Sequence, residues 1–522
     1  MAALLVSWAD VGMGDFESLA VLGEMTQTVL PAYTWDTIRL CTMVALIAGI
    51  MGTSSAVLVT VFEFRGRRLF EWALLLPLAM PAYVVAYAYT DFLQFSGPLQ
   101  TWLRSSFGLA GRVLPEVRSV WGAAFVFAFC LYPYVYLLAR TALSDRAVHL
   151  MEAAKLLGSP LHARLTQVAL PLARPAIAAG IALALMETLA DFGVVSYFGV
   201  QTFSAGIYKA WLAMDNRIAA AQLATVLLLV VMVLLKIEQH AQKRIRFVSS
   251  KGGNKAAQSG VPTALHGKAA LLAQVLCALP VLLGFALPTL LMLTAFFKQV
   301  QDTETVMPWA AFAVWSWNSL HLGFITAILA VLSGLWLTFM QRLRPHIWVT
   351  RVVQLTALGY AVPGAVIVVG LLLPVAWLQT QFPHLNAGYW LTATSVGLVW
   401  AYLVRFNAVA INSLQSGYSR IPTSLDESAR MLGTSNLGIL RYVHAPLLKR
   451  SVLTAALLVF VDVMKELPAT LVLRPFNSDT LAVVTYQLAR DERLGEAALP
   501  ALALVLVGLL PVLLLSRTIS KQ

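Results

Sequence analysis

Glu152-Ala-Ala-Lys-Leu-Leu-Gly158, with Pro171 thirteen residues beyond its glycine, returns as Glu427-Ser-Ala-Arg-Met-Leu-Gly433, with Pro446 thirteen residues beyond. The glutamates, the glycines and the prolines all stand 275 residues apart, in a chain of 522. Each copy opens on helix-forming residues, meets a glycine able to take a positive φ, and reaches a proline shortly before an apolar run. That order predicts two short helices joined by a glycine turn, held at a membrane surface by the runs on either side.

The rest of the sequence supplies those runs. It is 59% hydrophobic and 12% charged, with a mean hydropathy of +0.76, too little polar surface to coat a soluble globule. Runs of roughly 20 apolar residues recur, the length that crosses about 30 Å of hydrocarbon as a helix. They are continuous rather than alternating, which excludes a barrel. Eleven spans are predicted: 38–62, 72–92, 120–138, 176–198 and 219–235, then 269–297, 315–339, 352–378, 390–411, 452–473 and 497–515. The fold class is an all-α polytopic membrane protein of about 11 transmembrane helices. The expected organisation is an N-terminal outer segment (1–36), a first repeat (37–238), a linker (239–268) and a second repeat (269–522).

The net charge of +12 does not form a nucleic-acid stripe. Arg65, Arg67 and Arg68, then Arg342, Arg344 and Arg351, then Arg517 and Lys521 fall in short loops on one side if the spans alternate. Residues 236–268, with Lys243, Arg244, Arg246, Lys251, Gly252, Gly253 and Lys255, read as a linker on that same, cytoplasmic side. Before Arg39 there is no cation, while Asp10, Asp15, Glu17, Glu24 and Asp36 are present, so the N-terminus should lie outside and the C-terminus inside. Met1 to Trp8 either is the tail of a missing first helix or rests at the interface. Cys41, Cys130 and Cys277 sit in apolar runs without metal or disulfide spacing, as small hydrophobes.

A short helix pinned at the membrane surface can pass force from a soluble partner. Ala153, Ala154 and Ala429 allow close packing, and Glu152 and Glu427 offer charges to a basic partner. No Gly-x-x-x-x-Gly-Lys-Ser/Thr occurs, so no nucleotide phosphate is cradled by this chain and energy must come from another.

The paired Glu-Ala-Ala…Gly…Pro motif resembles the signature loop of type I permeases of binding-protein-dependent ABC importers. Ser428 departs from the pattern where the first copy has Ala153. The resemblance runs from Asp36 to the C-terminus and implies two tandem type I permease repeats in a bacterial inner membrane. It also implies two copies of an ATPase subunit that uses ATP and Mg, and a periplasmic substrate-binding protein received by the loops 97–118, 199–217 and 474–493. On this resemblance the coupling residues are Glu152, Ala153, Ala154, Gly158, Pro171, Glu427, Ala429, Gly433 and Pro446. Asp191-Phe-Gly-Val-Val-Ser-Tyr-Phe-Gly199 with Gly206-Ile-Tyr-Lys-Ala-Trp211, and Lys465-Glu-Leu-Pro-Ala-Thr-Leu-Val-Leu-Arg-Pro-Phe476 with Asp479-Thr-Leu481, are similar to fused permeases of ferric-iron importers. Related permeases carry thiamine, polyamines or inorganic anions.

Glu187, Asp191, Asp462, Lys465 and Glu466 fall where lipid disfavours charge, at about 2.5–3.5 kcal/mol each on insertion scales. Glu187 matches Asp462 and Asp191 matches Glu466 at the same offset. The i, i+4 spacing would put each carboxylate pair on one helical face. Two readings stand: carboxylates lining a route for a hard cation, or Lys465 paired with Asp462 or Glu466 while the others bind backbone or cytoplasmic cations near the helix ends. Pro77, Pro81, Pro363, Gly364 and Gly370 interrupt spans, as happens near transport paths and in ordinary membrane helices. An ion-coupled secondary transporter would share the repeats and buried carboxylates without needing the paired loops. An intramembrane enzyme would need a constellation that the scattered His149, His162, His321, His346 and His444 do not make.

Overall fold

In hydrocarbon a helix pairs its own backbone N–H and C=O groups, so long apolar runs become helices. The computed structural model describes residues 17–144, 148–249, 263–302, 307–343 and 346–519. In chain order it forms α1 (Glu17–Gln27), α2 (Leu30–Val61), β1 (Phe62–Glu63), α3 (Arg67–Ala73), α4 (Ala82–Leu93), α5 (Pro98–Phe107) and α6 (Val120–Ala142). Next come α7 (Val148–Leu156), α8 (Leu161–Ala190), α9 (Gly193–Phe198), α10 (Phe203–Tyr208) and α11 (Arg217–Ser249). After β2 (Thr263–Ala264), which pairs in parallel with β1, come α12 (Gly267–Gln301), α13 (Trp309–Leu343), α14 (Ile347–Ala357), α15 (Gly364–Gln381) and α16 (Ser395–Tyr418). The chain continues with α17 (Thr423–Met431), α18 (Ala445–Lys465), α19 (Pro468–Leu473), α20 (Leu481–Arg490) and α21 (Leu494–Ile519).

Among the described residues nine helices are long and apolar enough to cross a membrane, and ten with the pair Arg67–Ala79 and Ala82–Phe107, which bends by 89° after Pro77 and at Pro81. The eleventh expected segment is α18, whose Lys449, Arg450, Asp462 and Lys465 keep it outside that set.

Three expectations change. The expected outer segment is helical from Glu17, and the first span begins at Leu30 with a proline in its opening turn. Met1 to Trp8 lies outside the described residues. Residues 236–249 continue α11 instead of starting a linker, because Lys, Glu, Gln, Ala and Arg are strong helix formers. The linker cations at 251–255 lie outside the described residues.

Two compact units result, and they do not follow the repeat boundary. One is residues 307–487. In it α13, α16 and α18 pack around Leu322, Ala330, Tyr402, Phe406, Ala455 and Val459, all buried. The other joins the described residues up to 302 with those from 488 on, so α12 and α21 of the second repeat pack with the helices of the first. Its centre is α6, gripped by α2 and α8 through small residues: a Cβ on Gly52 would lie 2.6 Å from Val135 Cβ, and one on Gly180 would lie 2.6 Å from Val135 Cα. Cys130 and Cys277 are buried in this unit and Cys41 is half-buried.

Gly180→Leu should therefore force α8 off α6 and lower stability by about 1–3 kcal/mol. A thermal melt of the detergent-solubilised chain checks it, and an unchanged melting temperature would refute the close contact.

Candidate functional site

Both repeated loops fold alike. Gly158 has φ +81° and Gly433 has φ +79°, the left-handed region that a Cβ disfavours. Around them the same two hydrogen bonds close α7 and α17: Gly158 N–H to Lys155 O (3.0 Å) with Ser159 N–H to Ala154 O (3.0 Å), and Gly433 N–H to Arg430 O (2.9 Å) with Thr434 N–H to Ala429 O (3.0 Å). This is the Schellman arrangement, which pairs carbonyls that a helix end leaves open. The second short helix of each copy is not separate. In the first copy it is the opening of α8 and in the second it leads into α18; a π turn, Arg164–Ala169 or Ile439–His444, joins it to the α-helical stretch whose second residue is Pro171 or Pro446. A proline cannot donate to the preceding turn, and each helix widens just ahead of it.

The loops are seated on their helices by different chemistry. In the first, Met151 is buried in an apolar cluster with Leu143 and Ala169. In the second, Asp426 is buried and both carboxylate oxygens are taken. Arg342 Nε at the end of α13 donates to Oδ2 at 2.7 Å, and His444 Nε2 lies 2.8 Å from Oδ1. The Arg342 guanidinium also donates to the carbonyls of Tyr418 (3.2 Å), Ile421 (2.9 Å) and Pro422 (3.1 Å). The Tyr418 hydroxyl stands 3.4 Å from His444 Nδ1. Burial works to raise the Asp426 pKa, but the hydrogen bonds from Arg342 and His444 and the positive charge beside it outweigh burial and hold the carboxyl below its ordinary value.

What the loops present outward is partly apolar. Glu152, Ala153 and Glu427 are exposed, Ala154 is half-buried and Ala429 is buried. Immediately before each glycine, Leu156 and Leu157 are 89% and 88% exposed, and their counterparts Met431 and Leu432 are 90% and 86% exposed. Four apolar side chains thus stand exposed at matched positions of the two loops. The sequence reading passed over them because Leu and Met inside a helix look like core.

The intramembrane charges are not arranged as face pairs. α8 ends at Ala190 and α18 at Lys465, so Asp191 and Glu466 fall in the breaks, with extended backbone (ψ 140° and 123°). Each is held by the short helix that follows. Val194 N–H donates to Asp191 Oδ1 at 2.8 Å. Ala469 N–H donates to Glu466 Oε1 at 2.9 Å, and Thr470 N–H and Oγ1 donate to Oε2 at 3.0 and 2.6 Å. Glu466, 5% exposed, also meets Arg405 Nη1 at 3.4 Å. The i, i+4 expectation fails because the helix stops one residue short of the second carboxylate. Glu187, Asp462 and Lys465 are half-buried in the last turns of α8 and α18. A Cβ at Gly364 would lie 3.1 Å from Glu466 Oε1 and 2.9 Å from Pro468 Cβ, which explains a glycine beside the break.

Sequence reading missed Arg405, Asp426 and His444. A cation inside the apolar run 395–418 was signal enough for Arg405. For Asp426 the signal was the mismatch with Met151. Between two of the expected outer loops Arg118 Nη2 reaches Glu492 at 3.2 Å, and it also reaches the Tyr197 hydroxyl at 3.4 Å.

The sequence matches the profile described as "Binding-protein-dependent transport system inner membrane component" over residues 43–246 and again over 330–521. It is 27% identical to the Fe(3+)-transport system permease protein FbpB 2 of Haemophilus influenzae, over 92% of this chain and 89% of that one. It is 28% identical to a putative 2-aminoethylphosphonate transport system permease protein, PhnV, of Salmonella typhimurium, over 38% of this chain and 72% of that one. It is 29% identical to the sulfate transport system permease protein CysT of Escherichia coli, over 28% of this chain and 52% of that one.

Two outcomes follow from the geometry. A carboxyl whose folded pKa is depressed contributes fully above its unfolded value of about 3.9 and loses that contribution as pH falls through the lower folded value. Amide protection across 423–431 should therefore hold from pH 7 to 5 and fall below about pH 4, read by hydrogen exchange. Protection lost between pH 7 and 5 would point to another group. Glu466→Ala removes the carboxylate that caps α19 and meets Arg405, and should destabilise the chain by roughly 3–5 kcal/mol, visible as a lowered thermal midpoint.

Proposed function

Because this chain belongs to the inner membrane components of binding-protein-dependent transport systems, a family of multi-pass transport permeases, we propose that its cargo is ferric iron and that its two glycine-turn loops are where ATP hydrolysis is coupled to transport. The observation that carries the iron reading is the similarity to an Fe(3+)-transport permease, which spans nearly the whole of both chains. The observation that carries the coupling reading is the duplicated helix–Schellman turn with its exposed apolar pair.

In this mechanism two copies of an ATPase subunit, which binds ATP and Mg, each receive one loop in a surface cleft. Leu156 and Leu157, or Met431 and Leu432, fill the cleft, while Glu152 or Glu427 meets a cation at its rim. ATP-driven closure of the ATPases pulls the loops together. Because each loop's second helix is continuous with a span through its π turn, that pull is passed directly into α8 and α18. The breaks after Ala190 and Lys465 then turn the spans outward toward a cargo-loaded periplasmic binding protein, and hydrolysis resets them inward. The N-terminus lies outside and the C-terminus inside. A permease must release its cargo, so weak polar contacts in the route suit it better than a chelating site.

A second reading is an oxyanion cargo. It is favoured by the similarity to the phosphonate and sulfate permeases, although each covers well under half of this chain.

The deciding measurement is uptake of radiolabelled ferric iron into proteoliposomes holding this chain, its ATPase and the loaded binding protein, with sulfate, 2-aminoethylphosphonate and thiamine as competing cargoes. ATP-dependent iron entry is the expected result; entry of another cargo alone would replace iron. Leu156→Glu combined with Met431→Glu should abolish co-purification of the ATPase while the chain still inserts, and retained binding would remove the docking reading.

A further inference from the structure

The repeats differ at one set of matched positions on the inner side of the loops. Leu143, Met151 and Ala169 stand where Tyr418, Asp426 and His444 stand 275 residues later. In the first copy all three belong to one buried apolar cluster, with Tyr136, Ala139 and Ala173 around them. In the second, the carboxylate of Asp426 is held from two different elements: Arg342 on α13 at 2.7 Å and His444 in the π turn at 2.8 Å. Arg342 lies 5.5 Å from the centroid of the Tyr418 ring and at the same time ties down the three carbonyls that lead into α17.

These two seats resist displacement differently. Charge-assisted hydrogen bonds are directional, and a carboxylate with both oxygens engaged cannot rotate or slide without losing one. A thioether in an apolar socket has no preferred direction and refits after a small shift. We propose that Asp426, together with Arg342 and His444, is a positioning residue that clamps the second loop to the membrane helices, while the first loop, seated through Met151, is the compliant one. The consequence for transport rests on the docking reading above; the difference in seating belongs to the permease alone and is tested without any partner.

The full chain, with Cys41, Cys130 and Cys277 replaced by alanine, is reconstituted into lipid nanodiscs and carries one nitroxide at Ser428→Cys or at Ala153→Cys, matched and exposed positions. The expected result is a label at 428 at least threefold slower than at 153. Asp426→Asn should remove that difference by freeing the label at 428, and Met151→Leu should leave the label at 153 unchanged. Equal mobility in the parent chain, or a label at 428 indifferent to Asp426→Asn, overturns the proposal. Should Asp426→Asn fail to insert, Arg342→Lys, which keeps the charge and loses the guanidinium fork, is read in the same way. In proteoliposomes with the ATPase, Asp426→Asn should lower uptake per ATP at least fivefold and Met151→Leu less than twofold. Freed mobility with unchanged uptake per ATP would leave the seating as proposed and sink the docking reading instead.

Discussion

Hydrocarbon allows no unpaired backbone polar group, and at the breaks after Ala190 and Lys465 a side chain supplies what water would. α8 and α18 both stop and restart within a few residues, and at each break a carboxylate receives the N–H groups that open the next short helix. Glu466 is the fuller case, with two backbone donors, the Thr470 hydroxyl and the Arg405 guanidinium around one buried carboxylate. A buried charge is tolerated only with this degree of satisfaction.

The same economy of partners distinguishes the two loops. Their outward features are nearly identical, down to the hydrogen bonds of the glycine turn and the exposed apolar pair before it. Their inward features are not, because Met151 needs only a socket and Asp426 needs two donors. On the docking proposed above, identical outward faces fit two copies of one cleft. Nothing demands identical inward seating, and there the repeats have diverged.

Much of this was legible in residue order. The 275-residue repeat, the helical spans and the positive-φ glycines follow from apolar run length and from what a Cβ forbids. The charged α18 was placed as a span by its apolar core although its Lys449, Arg450, Asp462 and Lys465 weaken the hydropathy signal. The breaks at Asp191 and Glu466 were not legible. A carboxylate at i+4 reads as a face partner, and only the following backbone N–H groups reveal it as a cap. Nor was the grouping of α12 and α21 with the first repeat, since packing partners between distant segments leave no local pattern. Arg342 looked like a topology signal among other loop cations, and only its distance to Asp426 makes it a clamp.

The intramembrane carboxylates bear on how a metal cation would pass. Four such groups in register suggest an oxygen cage, yet an oxygen of Asp191 and both oxygens of Glu466 are engaged by backbone donors. Drawing Glu466 into a cation's coordination shell would mean giving up those bonds and its contact with Arg405, at a cost of several kcal/mol. A permease handing cargo onward is better served by groups already committed elsewhere, which bias the local potential without binding tightly. On that view the acid and base at the breaks serve the helices that they cap rather than a bound cation.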